Sequence, residues 1–302
     1  MRQPTATLIR ESNVHGLSRD KMGHSVLKVP TGVPDFDAIV NGGLPEGSVV
    51  ILYGDIGAGQ HEFVYTSAFK LATVKEHPYM FETYLGSFCS MEGIPEHIHY
   101  ITFSRTKDDV LREIHEGFDP QFYNMLSRKI RFMDLSPHYY KKSMIPPSWT
   151  EGDNGGGLFS ATPKENVLEA LVEYLEGLPP KSMIVIDSLT DLIVSDSIKT
   201  NDLVTLLKGM QRASKRWGGV VYMMLTRGIL EPRDEKMFLD SVDGVLTFEW
   251  TKYHLSSKRQ RYMYVEKFMS ILPHLDKERI ARFATVVTAE SGLVVIDTER
   301  VG

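Results

Sequence analysis

Cysteine is almost absent. Cys89 stands alone among 302 residues, which excludes an internal disulfide framework and a cysteine-built zinc cluster and leads us to expect a reducing compartment. Long apolar runs are missing too: no stretch approaches the ~20 residues that a membrane span needs. The opening MRQPTATLIRESNV lacks the apolar region of a secretory signal. A soluble cytoplasmic protein, with no membrane partner, is the expectation. Positive charge is in short supply, with 34 Lys and Arg against 39 Asp and Glu and a net charge of −5. A general attraction to nucleic acid is therefore excluded, and binding it would need a local basic patch. No internal repeat is present. What is there is 42% apolar and 24% charged, the composition of a chain that buries one substantial core.

Apolar runs and turn signals alternate along the sequence. Residues 48–54, SVVILYG, read as a strand buried on both faces, and the following segment places Phe63, Val64, Ala68, Leu71 and Ala72 at helical spacing. Further strands are expected at 97–103, 129–135, 183–189 and 219–225. Helices are expected after Thr106, which has capping-box spacing to Asp109, and across 201–216. Another should start at Thr162, with Pro163 in the first helical position and Glu165 completing a box. Residues 136–162, containing IPPSW and EGDNGGG, read as an irregular, mobile connection. A short helix near 231–242 and consecutive strands at 244–250, 261–268 and 281–296 close the chain. The order predicts an α/β fold, a mainly parallel central sheet flanked by helices with antiparallel C-terminal strands. It divides into an N-terminal extension over 1–27 and a single domain over 28–302.

The loop GDIGAGQHE, residues 54–62, is where chemistry is expected. A triphosphate-binding loop reads Gly-x-x-x-x-Gly-Lys-Ser/Thr. Its backbone N–H groups and the following helix end hold the anion, its lysine bridges the outer phosphates, and its hydroxyl holds magnesium. Gly54, Gly57 and Gly59, with Asp55, Ile56 and Ala58 between them, keep the backbone part available. Gln60 and His61 stand where the lysine and hydroxyl belong. Gln60 donates hydrogen bonds without a charge, which costs roughly 1 kcal/mol or more of phosphate binding. His61 substitutes poorly for a magnesium-holding hydroxyl, because magnesium prefers oxygen. Asp55 adds a negative charge beside the site. In purely structural terms the same loop is a tight strand-to-helix turn that needs its glycines for packing.

VPTGVPDFDAIVNGGLPEGSVVILYG, the loop, YITFSRTKDDVLREI, MIVIDSLTDLI and RYMYVEKF together resemble the RecA-superfamily P-loop ATPases of the KaiC-like and RadA-like branch. The likeness covers residues 28–297, and TGVPDFD with NGGLPEGS is its most specific part. Residues 249–283 are most similar to archaeal KaiC-like (HTR-like) paralogues, whose loops can themselves be degenerate. The resemblance implies a RecA-type core assembled as a ring or filament, either a homo-oligomer or an assembly with a RecA-like paralogue. It implies ATP or ADP as ligand, with magnesium held through water by Asp187, and Lys267 reaching a neighbouring subunit's phosphates in trans. It also locates departures. The glutamate that positions the attacking water is absent, with Ser104 and Arg105 in its place, and losing a general base typically costs ~10² to 10⁴ in rate. The pattern Lys-x-Arg-Gly has become Lys267-Phe268-Met269-Ser270, and a trans arginine is worth ~10³ to 10⁵.

These substitutions touch binding, metal placement, water activation and transition-state charge. The expectation is a nucleotide-binding or regulatory subunit, ATP or ADP weakly bound, with no catalytic residue assigned. One alternative is an ATPase with relocated catalytic groups such as His61. Another is a DNA-binding RadA-like mediator using Lys252, Lys258, Arg259 and Arg261, or Arg227, Arg233 and Lys236, although Glu231, Asp234 and Glu235 offset the second group and a solvated charged face is the simpler reading. Trp217 and Trp250 read as packing anchors.

Overall fold

The computed structural model describes residues 26–150, 166–252 and 259–301. The expected extension falls almost wholly outside these residues. A nine-stranded sheet forms the frame. Its parallel part comprises β1 (Ser48–Gly54), β2 (His97–Thr102), β3 (Ile130–Asp134), β4 (Ser182–Asp187), β5 (Val220–Thr226) and β6 (Gly244–Lys252). The antiparallel strands β7 (Arg259–Phe268), β8 (Ile280–Thr288) and β9 (Gly292–Arg300) extend it. The spatial order is β9-β8-β7-β6-β1-β5-β4-β2-β3. The α/β expectation, with antiparallel strands at the C-terminal end, matches this architecture.

Helices cover both faces. α1 (Pro34–Ile39), α2 (Gln60–Glu76), α3 (Lys107–Gly117) and α4 (Pro120–Lys129) contribute to one layer. α5 (Val167–Glu176), α6 (Leu189–Val194), α7 (Thr200–Trp217) and α8 (Pro232–Asp240) form the other, and α9 (Leu272–Glu278) joins β7 to β8. Every residue of β1 is buried, with Val50 and Leu52 packed in the first layer and Val49, Ile51 and Tyr53 in the second. Successive side chains of a strand point to opposite faces, so a strand covered on both sides shows no polar alternation. Most of the 17 residues of α2 are buried as well, which makes it the centre of its layer and fixes where the loop before it must sit.

Three boundaries differ from the sequence reading. The strand expected at 183–189 stops at Asp187, because the Ser188 hydroxyl accepts from the Asp191 N–H at 3.2 Å and the Asp191 carboxylate accepts from the Ser188 N–H at 3.1 Å, a capping box that opens α6. α5 is capped by Asn166, whose Oδ1 accepts from the Leu168 N–H at 3.0 Å, whereas the expected cap at Thr162, Pro163 and Glu165 lies outside the described residues. Within the connection expected to be irregular, residues 136–150 form short helical turns, and residues 151–162 are outside the description.

The TGVPDFD stretch folds around Asp37. Its fully buried carboxylate accepts the Thr31 hydroxyl at 2.8 Å and the N–H groups of Thr31 and Gly32 at 3.0 and 3.1 Å. Burial pushes this carboxyl up to about 7, against the pull of those donors and of Lys70. Lys70 of α2 is itself buried, which brings its ammonium down to about 8 although Asp37 works in the other direction.

Candidate functional site

β1, β2, β4 and β5 deliver their carboxyl ends to one edge of the sheet, in a register that pairs Gly54 with Thr226 and Thr102 with Asp187. Ligand crevices of open α/β sheets form at such edges. The glycine loop lies there, between β1 and α2. Gly54 starts it because a side chain would meet the Phe248 carbonyl oxygen at 2.3 Å, and Gly59 closes it with a φ of +127° that other residues rarely adopt. The N–H groups of Ile56, Gly57 and Gly59 make no hydrogen bond among the described residues. These are the kind of groups from which an anion-holding backbone concavity is built.

Its other side is latched to the neighbouring strands. Trp250 Nε1 donates to the Ile56 carbonyl and Arg261 Nε to the Gly57 carbonyl, both at 3.3 Å. Asp55 turns away from the N–H side and accepts from the Trp250 N–H at 3.2 Å and from Arg227 at 3.4 Å. Its charge, expected to burden the phosphate site, is instead balanced by Arg227. Arg259 and Arg261 stack on the Trp250 ring at 4.8 and 4.4 Å.

Asp187, at the end of β4, is 3% exposed and ringed by donors. The Tyr100 hydroxyl donates to Oδ2 at 2.8 Å, Arg105 donates to the same oxygen at 3.2 Å, and His61 Nε2 lies 3.3 Å from Oδ1. Arg105 also pairs with Glu113 of α3. The observed Thr106–Asp109 capping box sets this geometry: it starts α3, the helix that carries Glu113, two residues after Arg105. Burial alone would raise the Asp187 carboxyl, yet His61, Arg105 and Tyr100 hold it below its ordinary value. Burial alone would lower the His61 imidazole, yet the hydrogen bond and charge of Asp187, with Glu113 beyond, raise it.

A mostly parallel sheet with a glycine loop at its carboxyl edge and an aspartate on a strand two places away has the layout of a P-loop ATPase, and comparison with known proteins agrees. The family model described as "ATPase: KaiC" matches residues 29–281. The chain belongs to the KaiC ATPase family. A crystal structure of a KaiC-like protein from the hyperthermophilic archaeon Pyrococcus horikoshii OT3 superposes with a TM-score of 0.58 at 16% identity, covering 90% of this chain and all of that one, a likeness of fold. Comparison with curated proteins gave no match.

Within this KaiC-family chain the structure brings together some residues singled out in the sequence and separates others. His61, Arg105 and Asp187 share one cluster, although the sequence presented the first two as losses at separate places. Lys267 lies elsewhere: its ammonium donates to the Leu239 and Asp240 carbonyls at 3.1 and 2.7 Å and so caps the end of α8 within its own chain. Met269, just beyond, is 90% exposed. Of the basic residues considered for DNA, Arg227 and Arg261 pair with Asp55 and Glu62, whereas Arg233 and Lys236 stay exposed on α8 beside Asp234 and Glu235. Lys252 ends β6, and Lys258 lies outside the described residues. Sequence reasoning missed Tyr100, Glu113 and the latch made by Trp250 and Arg261; Tyr100 and the latch act on residues distant in sequence, whereas Glu113 lies eight residues from Arg105 and was passed over because Arg105 was read only as a replaced glutamate. Among the described residues no helix is long and apolar enough to cross a membrane.

Proposed function

We propose that this KaiC-family protein is a nucleotide-binding regulatory subunit that holds ADP or ATP weakly, hydrolyses it little or not at all, and acts through assembly with copies of itself or a RecA-like paralogue. One observation carries the reading. The loop keeps N–H groups that are unpaired among the described residues at the start of α2, while the side chains at the positions of magnesium hydroxyl and catalytic glutamate, His61 and Arg105, are tied to Asp187. Free backbone donors of the kind that hold phosphate thus sit beside side chains that are not of the kind that cleaves it and are tied to Asp187. Ile56, 85% exposed at the loop tip, and Met269 at the end of β7 offer apolar contacts to a neighbour. Isothermal titration with ADP and ATP tests the reading, together with phosphate release and molar mass with and without nucleotide. Stoichiometric binding, ATP recovered intact and a larger mass in the presence of nucleotide are expected. Rapid turnover by the pure protein, abolished in Asp187→Ala, would overturn it.

A further inference from the structure

We propose that Arg105 and His61 take the place of the divalent cation at this loop, so that the site holds a nucleoside di- or triphosphate without metal. The proposal rests on the nucleotide-binding reading above and adds how the site treats magnesium. Magnesium demands near-octahedral oxygen ligation, and the donor set here does not fit it. Both Asp187 oxygens already face donors, Oδ1 the His61 ring and Oδ2 the Tyr100 hydroxyl and Arg105. The loop position that would give a hydroxyl gives an imidazole. Among the described residues no group of three His, Cys, Asp or Glu side chains is arranged to hold a metal ion. A cation entering beside Asp187 would have to displace a guanidinium that Glu113 holds from the opposite side.

What magnesium supplies elsewhere is neutralisation of this aspartate together with fixed positive charge near the phosphates. Arg105 and His61 supply the neutralisation from side chains and are 25% and 37% exposed. A guanidinium has five N–H donors, and the pairs with Asp187 and Glu113 leave some of them for a phosphate oxygen. Glu113 and Asp187 together balance Arg105, so oriented donors rather than net charge must hold the anion. Those donors include the loop N–H groups and Gln60. Gln60 is 8% exposed, its side chain makes no hydrogen bond among the described residues, and its amide nitrogen lies 2.8 Å from where a Gly54 side chain would begin, at the first residue of the loop.

Titration of the full chain with ADP and with ATP, in EDTA and in excess magnesium, decides the matter. Affinity in EDTA is expected to equal or exceed that in magnesium, within about threefold. Manganese(II) added to the nucleotide complex should give no protein-bound EPR signal. Binding tighter in magnesium by about tenfold or more, or a protein-bound manganese signal lost in Asp187→Asn, overturns the proposal and leaves the nucleotide reading standing. No binding under either condition overturns that reading itself. Arg105→Gln is expected to move the preference toward magnesium, and an unchanged ratio would remove Arg105 from the role.

Discussion

Asp37 and Asp187 are both buried carboxylates, held by opposite means. Asp37 is surrounded by neutral donors from its own turn, Thr31 and Gly32, with Lys70 nearby, and burial wins: its carboxyl is pushed up to about 7. Asp187 faces a guanidinium and an imidazole from different elements and is held below its ordinary value. The first arrangement closes a turn and offers nothing to a ligand. The second gathers the start of α2, the end of β2 and the end of β4 around one charge and opens onto the loop. Buried charge that is satisfied locally fixes a fold, and buried charge that is satisfied from afar assembles a site.

The largest expected effect tests the Asp187 side of this contrast. Asp187→Ala leaves Arg105 and His61 facing each other, and breaking a buried ion pair by removing one partner typically costs ~3 to 5 kcal/mol, to be read as urea stability near neutral pH. A variant as stable as the wild type would mean that Asp187 is not the anchor of the cluster. The next tests the neutral side through pH. The folded-state carboxyl of Asp37 lies above its ordinary 3.8, at about 7, so its contribution is fully present below ~pH 4 and is lost as pH rises to about 7. The stability difference, wild type minus Asp37→Asn, should fall across that range by roughly 2 to 4 kcal/mol. Asp187, held low, has the opposite slope: its contribution is present above the ordinary carboxylate range and lost as pH falls through its lower folded value. Parallel slopes for the two aspartates would collapse the comparison. The smallest effect is Thr31→Val, which removes the hydroxyl at 2.8 Å from Asp37 and is expected to cost ~1.5 to 3 kcal/mol, seen as a lowered urea midpoint with an unchanged slope.

How much of this was legible in the sequence follows from how local each signal is. β1, its glycine loop and α2 are written in a continuous apolar run and a helical repeat, and the structure places the strand at Ser48–Gly54 as read. The Thr106–Asp109 box was legible because both partners lie within one turn. α4 was missed because it follows α3 after a break at Pro120 and buries only a short face through Phe122, Met125 and Leu126. The candidate site was half legible. Its backbone part could be read from glycine spacing, and Asp187 from its place at a strand end. Arg105 could be seen only as an absence of glutamate, since its contact with Asp187 spans 82 residues, and that of His61 spans 126. Trp250, read as a packing anchor, contacts loop groups 194 and 195 residues away.

The Arg105 cluster also constrains how the sequence can change. Replacing Arg105 with glutamate would set three carboxylates side by side with only His61 to answer them, and a lysine in place of Gln60 alone would add a charge to a loop beside which both Asp187 oxygens already face partners. Each such replacement made singly is thereby disfavoured until others accompany it. Residues that answer one another's charge in this way change together more readily than one at a time.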